Sequence, residues 1–205
     1  MRNTPTAVLA TVLALVALAL TACSGGVPAP GRSSIEVDTP KLAAMKADAG
    51  VEECEPGTAE SGSGDLPPLA LACLGGGADV DLSTLRGPLV INIWTSTCEP
   101  CRQEMPALQE FHETYGDRVP VIGIDATDTY PEAALALVEE TGARYPQLAD
   151  PGGELYEQDD VRIPPAFPQF VLVDADGRVV HQEAGGLDSV EDVERMVTTE
   201  LGVDL

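Results

Sequence analysis

Two cysteines with two residues between them, Cys98 and Cys101, are the residues of this sequence best suited to chemistry. A pair at this spacing closes and opens a disulfide, and the thiolate is the species that attacks in such an exchange. An apolar run ends at Trp94 and a helical pattern starts at Cys98. At a helix N-terminus, unpaired backbone N–H groups and the helix dipole stabilise a thiolate. We therefore predict that Cys98 attacks a substrate and that Cys101, one turn further along and more shielded, resolves the mixed disulfide.

The elements that position this pair follow from hydrophobic periodicity. A continuous apolar run over residues 88–94 predicts a central strand buried on both faces, and residues 98–115 have helical spacing with a kink at Pro106. The other predicted elements are, in chain order, an N-terminal hairpin (69–74 and 80–82), a strand (119–125), a helix (131–141), a hairpin (170–174 and 178–182) and a helix (188–201). This order is that of the α/β thioredoxin fold, a mixed sheet flanked by helices, here with a central insertion over residues 144–165.

The N-terminus has the pattern of an export signal. Residues 1–22 contain Arg2 and an apolar run that is too short for a comfortable transmembrane helix. The run ends in Leu-Thr-Ala before Cys23, which resembles the bacterial lipobox, whose cysteine carries diacylglycerol and an N-acyl chain. We therefore predict a signal peptide over 1–22 and a lipid anchor at Cys23, which holds the protein on the cell membrane outside the cytoplasm. A flexible Gly/Pro/Ser-rich tether over 23–65 follows, with a short helix at Pro40–Ala49. The folded domain is predicted over 66–205.

The charge balance excludes one class of partner. The 205 residues include 34 acidic and 11 basic side chains, for a formal net charge of −23. Lys41 and Lys46 are the only lysines, and no basic cluster occurs. Such a surface repels nucleic-acid phosphates, so we predict no binding to nucleic acid.

Three further cysteines lie outside the Cys98–Cys101 pair, and their number indicates how they are used. The chain has five, and lipidation of Cys23 leaves two pairs. Cys54 and Cys73 are predicted to form a structural disulfide that ties the end of the tether to the N-terminal hairpin, because disulfides persist outside the cytoplasm. The only histidines, His112 and His181, lack metal-ligand spacing, so we predict neither a metal nor another cofactor.

At the active-site motif the chain resembles a known family. Trp94 to Cys101, continued by Arg-Gln-Glu-Met-Pro, is similar to the W-x-x-W-C-x-P-C-R-x-E-x-P signature of the TlpA/ResA-like extracytoplasmic thioredoxins, and the resemblance covers about residues 66–203. One departure is Thr97, where this family commonly has tryptophan. An aromatic cover over the site is therefore expected to be missing.

The resemblance implies a cis-proline facing the disulfide. Pro168 matches best by its distance from the Asp-Ala-Asp-Gly turn, and Pro164 and Pro165 remain alternatives. A proline there leaves the backbone of Phe167 exposed for strand-like pairing with a substrate peptide.

The resemblance also implies a carboxylate that accepts a proton when Cys101 ionises. Asp128 is the favoured candidate, and Asp125 is the alternative. The substrate-binding residues implied by the match are Trp94, Glu99, Pro100 and Phe167. Because Glu99 places a negative charge between the cysteines, it makes a thiolate more costly and favours a reducing pair over an oxidising one.

These observations predict a membrane-tethered thiol-disulfide oxidoreductase that reduces protein disulfides outside the cytoplasm. By resemblance, its client is an apocytochrome c and its electron donor is a membrane thiol-disulfide carrier. One alternative is a thiol peroxidase, since Thr95-x-x-Cys98 matches half of a peroxiredoxin motif, although Ile91 stands where that motif has proline. Another alternative is a non-catalytic binding lipoprotein. The presence of both Cys98 and Cys101 disfavours this alternative.

Lipidation of Cys23 is testable in cells. Replacing Cys23 with Ser should move the protein from the membrane to the soluble fraction, because the acyl chains are then absent, while disulfide exchange by the purified protein stays unchanged. Fractionation followed by immunoblotting measures the first effect. Continued membrane association of the variant would contradict the anchor.

Overall fold

The apolar run around residues 88–94 forms the centre of a mixed sheet in the computed structural model, which describes residues 33–158 and 166–205. The strands of these residues are β1 (Ala70–Cys73), β2 (Val80–Asp81), β3 (Leu89–Trp94), β4 (Val121–Ala126), β5 (Gln147–Asp150), β6 (Gln169–Val173) and β7 (Val179–Ala184). The helices are α1 (Pro40–Ala49), α2 (Glu99–Tyr115), α3 (Pro131–Thr141) and α4 (Val190–Leu201), with short 3₁₀ turns at Leu82–Thr84 and Glu154–Glu157.

The strand order across the sheet is β2-β1-β5-β4-β3-β6-β7. Strands β3, β4 and β5 are parallel to one another, whereas β1, β2, β6 and β7 join by antiparallel pairing. The two parallel connections carry α2 and α3, and right-handed crossovers that step in one direction place both helices on the same face of the sheet. The predicted thioredoxin fold with an N-terminal hairpin is therefore confirmed.

The two faces of the sheet are covered differently. Along β3, Val90 and Trp94 face the helices, and Ile91 and Ile93 face the other way. All four helices contribute to the core on the first face, which we call the helix face. The second face, the loop face, is covered by the chain around residues 54–85 and by the turn that contains Leu155.

Strand β5 lies within the central insertion over residues 144–165, for which no strand was predicted. It pairs with β4 on one side and with β1 on the other, so it joins the N-terminal hairpin to the rest of the sheet. Its four residues, Gln-Leu-Ala-Asp, include no β-branched or aromatic side chain, and this explains the weak sequence signal. The strand is stable here because its polar side chains find partners inside the protein.

The prediction of a flexible tether up to residue 65 is wrong for its described part, since Ser33–Leu205 forms one unit. Thr39 caps α1 by accepting a hydrogen bond from the N–H of Leu42, and Gly50 ends the helix in a left-handed conformation. Val37, Leu42 and Val51 are buried in the helix-face core. Few apolar residues anchor this segment, so its composition resembled that of a spacer.

Residues 1–32, with the predicted signal peptide and Cys23, lie outside the described residues. Among the described helices, none combines the length and the apolar character needed to cross a bilayer.

The packing of α1 can be tested by truncating Leu42, which is 2% exposed. Leu42→Ala should lower the free energy of unfolding by about 2–4 kcal/mol, because it removes buried methyl groups and leaves a cavity. Urea denaturation measures the change, and Asp48→Ala, at an exposed site on the same helix, is the matched control with little expected effect. Equal stability of the Leu42 variant and the parent would mean that α1 is not docked.

Candidate active site

Cys98 is the N-cap residue of α2. Its backbone is extended (φ −88°, ψ 108°), and its Sγ accepts a hydrogen bond from the N–H of Cys101 at 3.1 Å. The two cysteines form a disulfide with a Cα–Cα distance of 5.3 Å. Cys98 is partly exposed, whereas Cys101 is completely buried. This difference in access is the arrangement that an attacking and a resolving cysteine require.

Asp128 holds the loop that delivers Cys98. One carboxylate oxygen accepts hydrogen bonds from the backbone N–H of Ser96 at 2.9 Å and from Thr95 Oγ1 at 3.4 Å. The other oxygen accepts from the N–H of Tyr130 at 3.3 Å. The carboxylate thus links the loop after β4 to the loop after β3, two residues before the attacking cysteine.

Asp125, the alternative proton acceptor, lies on β4 opposite Trp94 of β3 and is 2% exposed. Burial, together with the negative charges of Asp128 and Asp150, raises the pKa of Asp125 well above its usual value. This carboxyl group therefore keeps its proton at a higher pH than an exposed aspartate does.

Glu104 is a site residue to which the sequence analysis gave no role. It follows Cys101 by three residues on α2, is completely buried, and accepts a hydrogen bond from Asn92 Nδ2 of β3 at 2.7 Å. Burial raises the pKa of Glu104 to about 8, against the opposing effect of the Asn92 amide. Its other oxygen faces the exposed Gly186, where an added Cβ would lie 3.9 Å away.

A sequence signal for Glu104 did exist. The buried residues of α2 include Cys101, Met105, Leu108 and Phe111, which recur at helical spacing, and Glu104 falls on this apolar stripe. A carboxylate at such a position is rarely buried without a reason.

Trp94 packs in the helix-face core next to the site. It is completely buried, and its Nε1 donates a hydrogen bond to Gln147 Oε1 at 3.0 Å. Gly123 leaves room for this contact, because a Cβ at that position would lie 1.8 Å from the same oxygen. The predicted substrate contact by Trp94 is therefore wrong, since a side chain without exposed surface cannot touch a substrate.

The other predicted substrate-binding residues lie at the surface. Glu99 and Pro100, in the first turn of α2, are exposed, and Glu99 accepts a hydrogen bond from Gln103 Nε2 at 3.1 Å. Phe167 is partly exposed and packs edge-on against Tyr156, with ring centroids 6.1 Å apart.

The Phe167–Pro168 peptide bond is cis, the geometry predicted for Pro168. Phe167 and Cys98 both pack against the helix-face core. Pro164 and Pro165 lie outside the described residues.

The second pair of cysteines is joined away from this site. Cys54 and Cys73 form the predicted disulfide, with a Cα–Cα distance of 5.8 Å. In the described part of the chain, no three His, Cys, Asp or Glu side chains are grouped so that they could hold a metal ion.

Comparison with known proteins agrees with this geometry. Residues 65–182 match the AhpC/TSA family. The chain is 37% identical over 127 residues to a thiol:disulfide interchange protein DsbE homolog of Paracoccus denitrificans, covering 60% of this chain and 66% of the relative. It is 33% identical over 120 residues to the thiol-disulfide oxidoreductase ResA of Bacillus thuringiensis, covering 58% and 66%. The chain thus spans slightly less than two thirds of the length of these relatives.

Among solved structures, a secreted thiol-disulfide isomerase from Corynebacterium glutamicum superposes with a TM-score of 0.58 at 23% identity, covering 67% of this chain and 86% of that chain. This likeness concerns the fold. The family match over residues 65–182, the curated relatives and the active-site motif place the chain in the AhpC/TSA family, among its TlpA/ResA-like thioredoxins.

Proposed function

We propose that this protein is a membrane-tethered thiol-disulfide oxidoreductase that reduces protein disulfides outside the cytoplasm. The observation that carries the proposal is the pairing of a partly exposed Cys98 at the N-cap of α2 with a fully buried Cys101. The names of the relatives, an interchange protein and an oxidoreductase, support the same chemistry.

The reaction has two exchange steps. In the reduced protein, the Cys98 thiolate attacks one sulfur of a substrate disulfide, forms a mixed disulfide, and releases the other substrate sulfur as a thiolate that takes up a proton. Cys101 then loses its proton and attacks Cys98, which re-forms the Cys98–Cys101 disulfide and releases the second substrate thiol. Two electrons have passed to the substrate, and a dithiol donor must return them.

We assign the proton transfer at Cys101 to Glu104. Both side chains are buried, and they lie one turn apart on α2. With a pKa of about 8, Glu104 exchanges a proton near neutral pH. Asp128 has its oxygens occupied by the loop, and we therefore propose that it positions Cys98.

The proposed surroundings of the enzyme come from the family resemblance and from the N-terminal sequence. The client is an apocytochrome c, or another exported protein, whose cysteines must be kept reduced. The donor is a membrane thiol-disulfide carrier, and Cys23 supplies the lipid anchor. A peroxiredoxin-type peroxidase is less well supported, since Ile91 is buried within β3 where that motif has proline and Thr95 donates to Asp128.

The two cysteines have different roles, and single variants separate them. Cys98→Ser should abolish the reduction of insulin by dithiothreitol above background, since no attacking thiolate remains. Cys101→Ser should accumulate a mixed disulfide with the substrate, because the resolving thiol is missing. Non-reducing electrophoresis and mass spectrometry detect the trapped species.

Equal trapping by both variants would contradict this assignment. Consumption of hydrogen peroxide by the parent protein, without insulin reduction, would favour the peroxidase. Binding of substrate with no turnover would favour the non-catalytic alternative.

The buried Glu104 predicts a pH effect on stability. Its pKa is raised to about 8, so the folded protein binds more protons than the unfolded chain between about pH 4.5 and 8, and the free energy of unfolding falls as the pH rises through that range. In the Glu104→Gln variant, the free energy of unfolding should fall less over this pH range than in the parent. The difference should exceed about 1.4 kcal/mol, the equivalent of one pKa unit.

Urea denaturation at pH 5 and pH 8 measures the effect, with Glu110→Gln at an exposed site on α2 as the control. The same Glu104 variant should slow the step in which Cys101 resolves the mixed disulfide. An unchanged pH dependence of stability would show that Glu104 is not held neutral by burial.

A further inference from the structure

The disulfide between Cys54 and Cys73 has a buried cation against one of its sulfurs. Lys46 of α1 is 4% exposed, and its Nζ lies 3.3 Å from Cys73 Sγ. The same ammonium group donates to Glu53 Oε2 at 2.8 Å and to the carbonyl oxygen of Gly76 at 2.8 Å. Each of the three N–H donors of the ammonium group thus has a partner, and one of these partners is the sulfur of Cys73.

The other sulfur has a different neighbour. Cys54 Sγ lies 3.3 Å from the carbonyl oxygen of Gln147 in β5. A carbonyl oxygen accepts a hydrogen bond from a thiol and disfavours a thiolate, whereas an ammonium group does the reverse. The surroundings therefore match a reduced state in which Cys54 is a thiol and Cys73 is a thiolate.

Access to the two sulfurs also differs. Cys54 lines a surface groove of about 560 Å³, together with Glu52, Glu55 and His112 among others. Both cysteines are almost fully buried, with Cys54 4% and Cys73 1% exposed, but only Cys54 lines that groove. If a thiolate approaches the disulfide through this groove, it attacks Cys54, and Cys73 is then the leaving group.

From these contacts we propose that Cys54–Cys73 is a second redox-active disulfide, which a dithiol reductant opens by attack at Cys54 with Lys46 stabilising the departing Cys73 thiolate. In the first step the S–S bond breaks and a mixed disulfide forms between Cys54 and the reductant. The second thiol of the reductant then displaces Cys54, which leaves as a thiol. In total, the disulfide and a dithiol give Cys54–SH, Cys73–S⁻, the oxidised reductant and one released proton.

This assignment differs from a purely structural disulfide, which lacks a cation placed to stabilise the leaving thiolate. The segment that carries Cys54 is also held by contacts that do not need the disulfide. The N–H of Glu52 donates to the carbonyl oxygen of Arg144 at 2.7 Å, Glu52 contacts His112 Nε2 at 3.1 Å, and Glu53 pairs with Lys46. Reduction is therefore expected to be reversible, without loss of the fold.

The two disulfides of the chain act separately. Cys73 points to the loop face of the sheet, whereas Cys101 is buried on the helix face. Strands β5 and β4 separate β1 from β3, so the strand carrying Cys73 lies about 14 Å from the one leading to Cys98. The proposal is thus independent of the function assigned to Cys98 and Cys101, and its dithiol must come from another molecule.

The test uses the full chain in detergent with Cys98 and Cys101 both replaced by Ser, so that only Cys54–Cys73 reacts. The protein is equilibrated with mixtures of reduced and oxidised dithiothreitol between pH 6 and pH 8, and alkylation with mass spectrometry gives the reduced fraction. Dithiothreitol gives up two protons, and the protein takes up one if Cys73 stays a thiolate beside Lys46 and Glu53. The equilibrium constant for reduction should then rise about tenfold per pH unit.

A constant that does not change with pH would mean that both cysteines are protonated after reduction, and this overturns the proposal. Lys46→Met should lower the equilibrium constant at pH 7 about tenfold or more and should remove its pH dependence. Lys41→Met, at an exposed site on the same helix, is the matched control and should change neither. An unchanged constant in the Lys46 variant, or loss of the far-ultraviolet circular dichroism signal on reduction of the parent, would also contradict the proposal.

Discussion

The N-terminus of α2 is the constraint on which the site depends. A helix leaves its first N–H groups without partners, and here the sulfur of Cys98 takes up one of them, the N–H of Cys101. The helix can begin at this point only because β3 ends at Trp94 and Asp128 fixes the intervening loop. The same geometry buries Cys101 one turn later, so a single helix start gives two chemically identical side chains different exposure.

Four polar side chains are buried beneath α2, next to the active-site cysteines. Asn92 and Glu104 pair with each other, and Trp94 pairs with Gln147, so these four side chains share two hydrogen bonds inside the helix-face core. Burial keeps Glu104 protonated up to about pH 8, which removes a charge that the core could not hold. In the proposed reaction, this carboxyl group, which ionises near neutral pH, accepts the proton of Cys101.

The sequence predicted those parts of the molecule whose signals are local. The buried run of β3 and the motif at Cys98 belong to this group. The cis geometry before Pro168 was instead implied by the family resemblance. Strand β5 was not predicted because its stability comes from pairing with distant strands and from the packing of Gln147 over Gly123. The docking of residues 33–65 was missed for the same reason, since it depends on partners far along the chain. The burial of Glu104, in contrast, had a local signal in its position on the apolar stripe of α2.

The reducing role that we propose rests on the charges around the active-site disulfide. The helix N-terminus favours the thiolate of Cys98, while the carboxylate of Glu99 opposes it, and no cation stands between the two cysteines. The most direct measurement is the reduction potential of the Cys98–Cys101 pair, followed by the fluorescence of Trp94, the one tryptophan of the chain, in a Cys54→Ser/Cys73→Ser variant. We predict a value nearer the roughly −270 mV of thioredoxin than the roughly −120 mV of DsbA, and a potential above about −150 mV would contradict a reducing role.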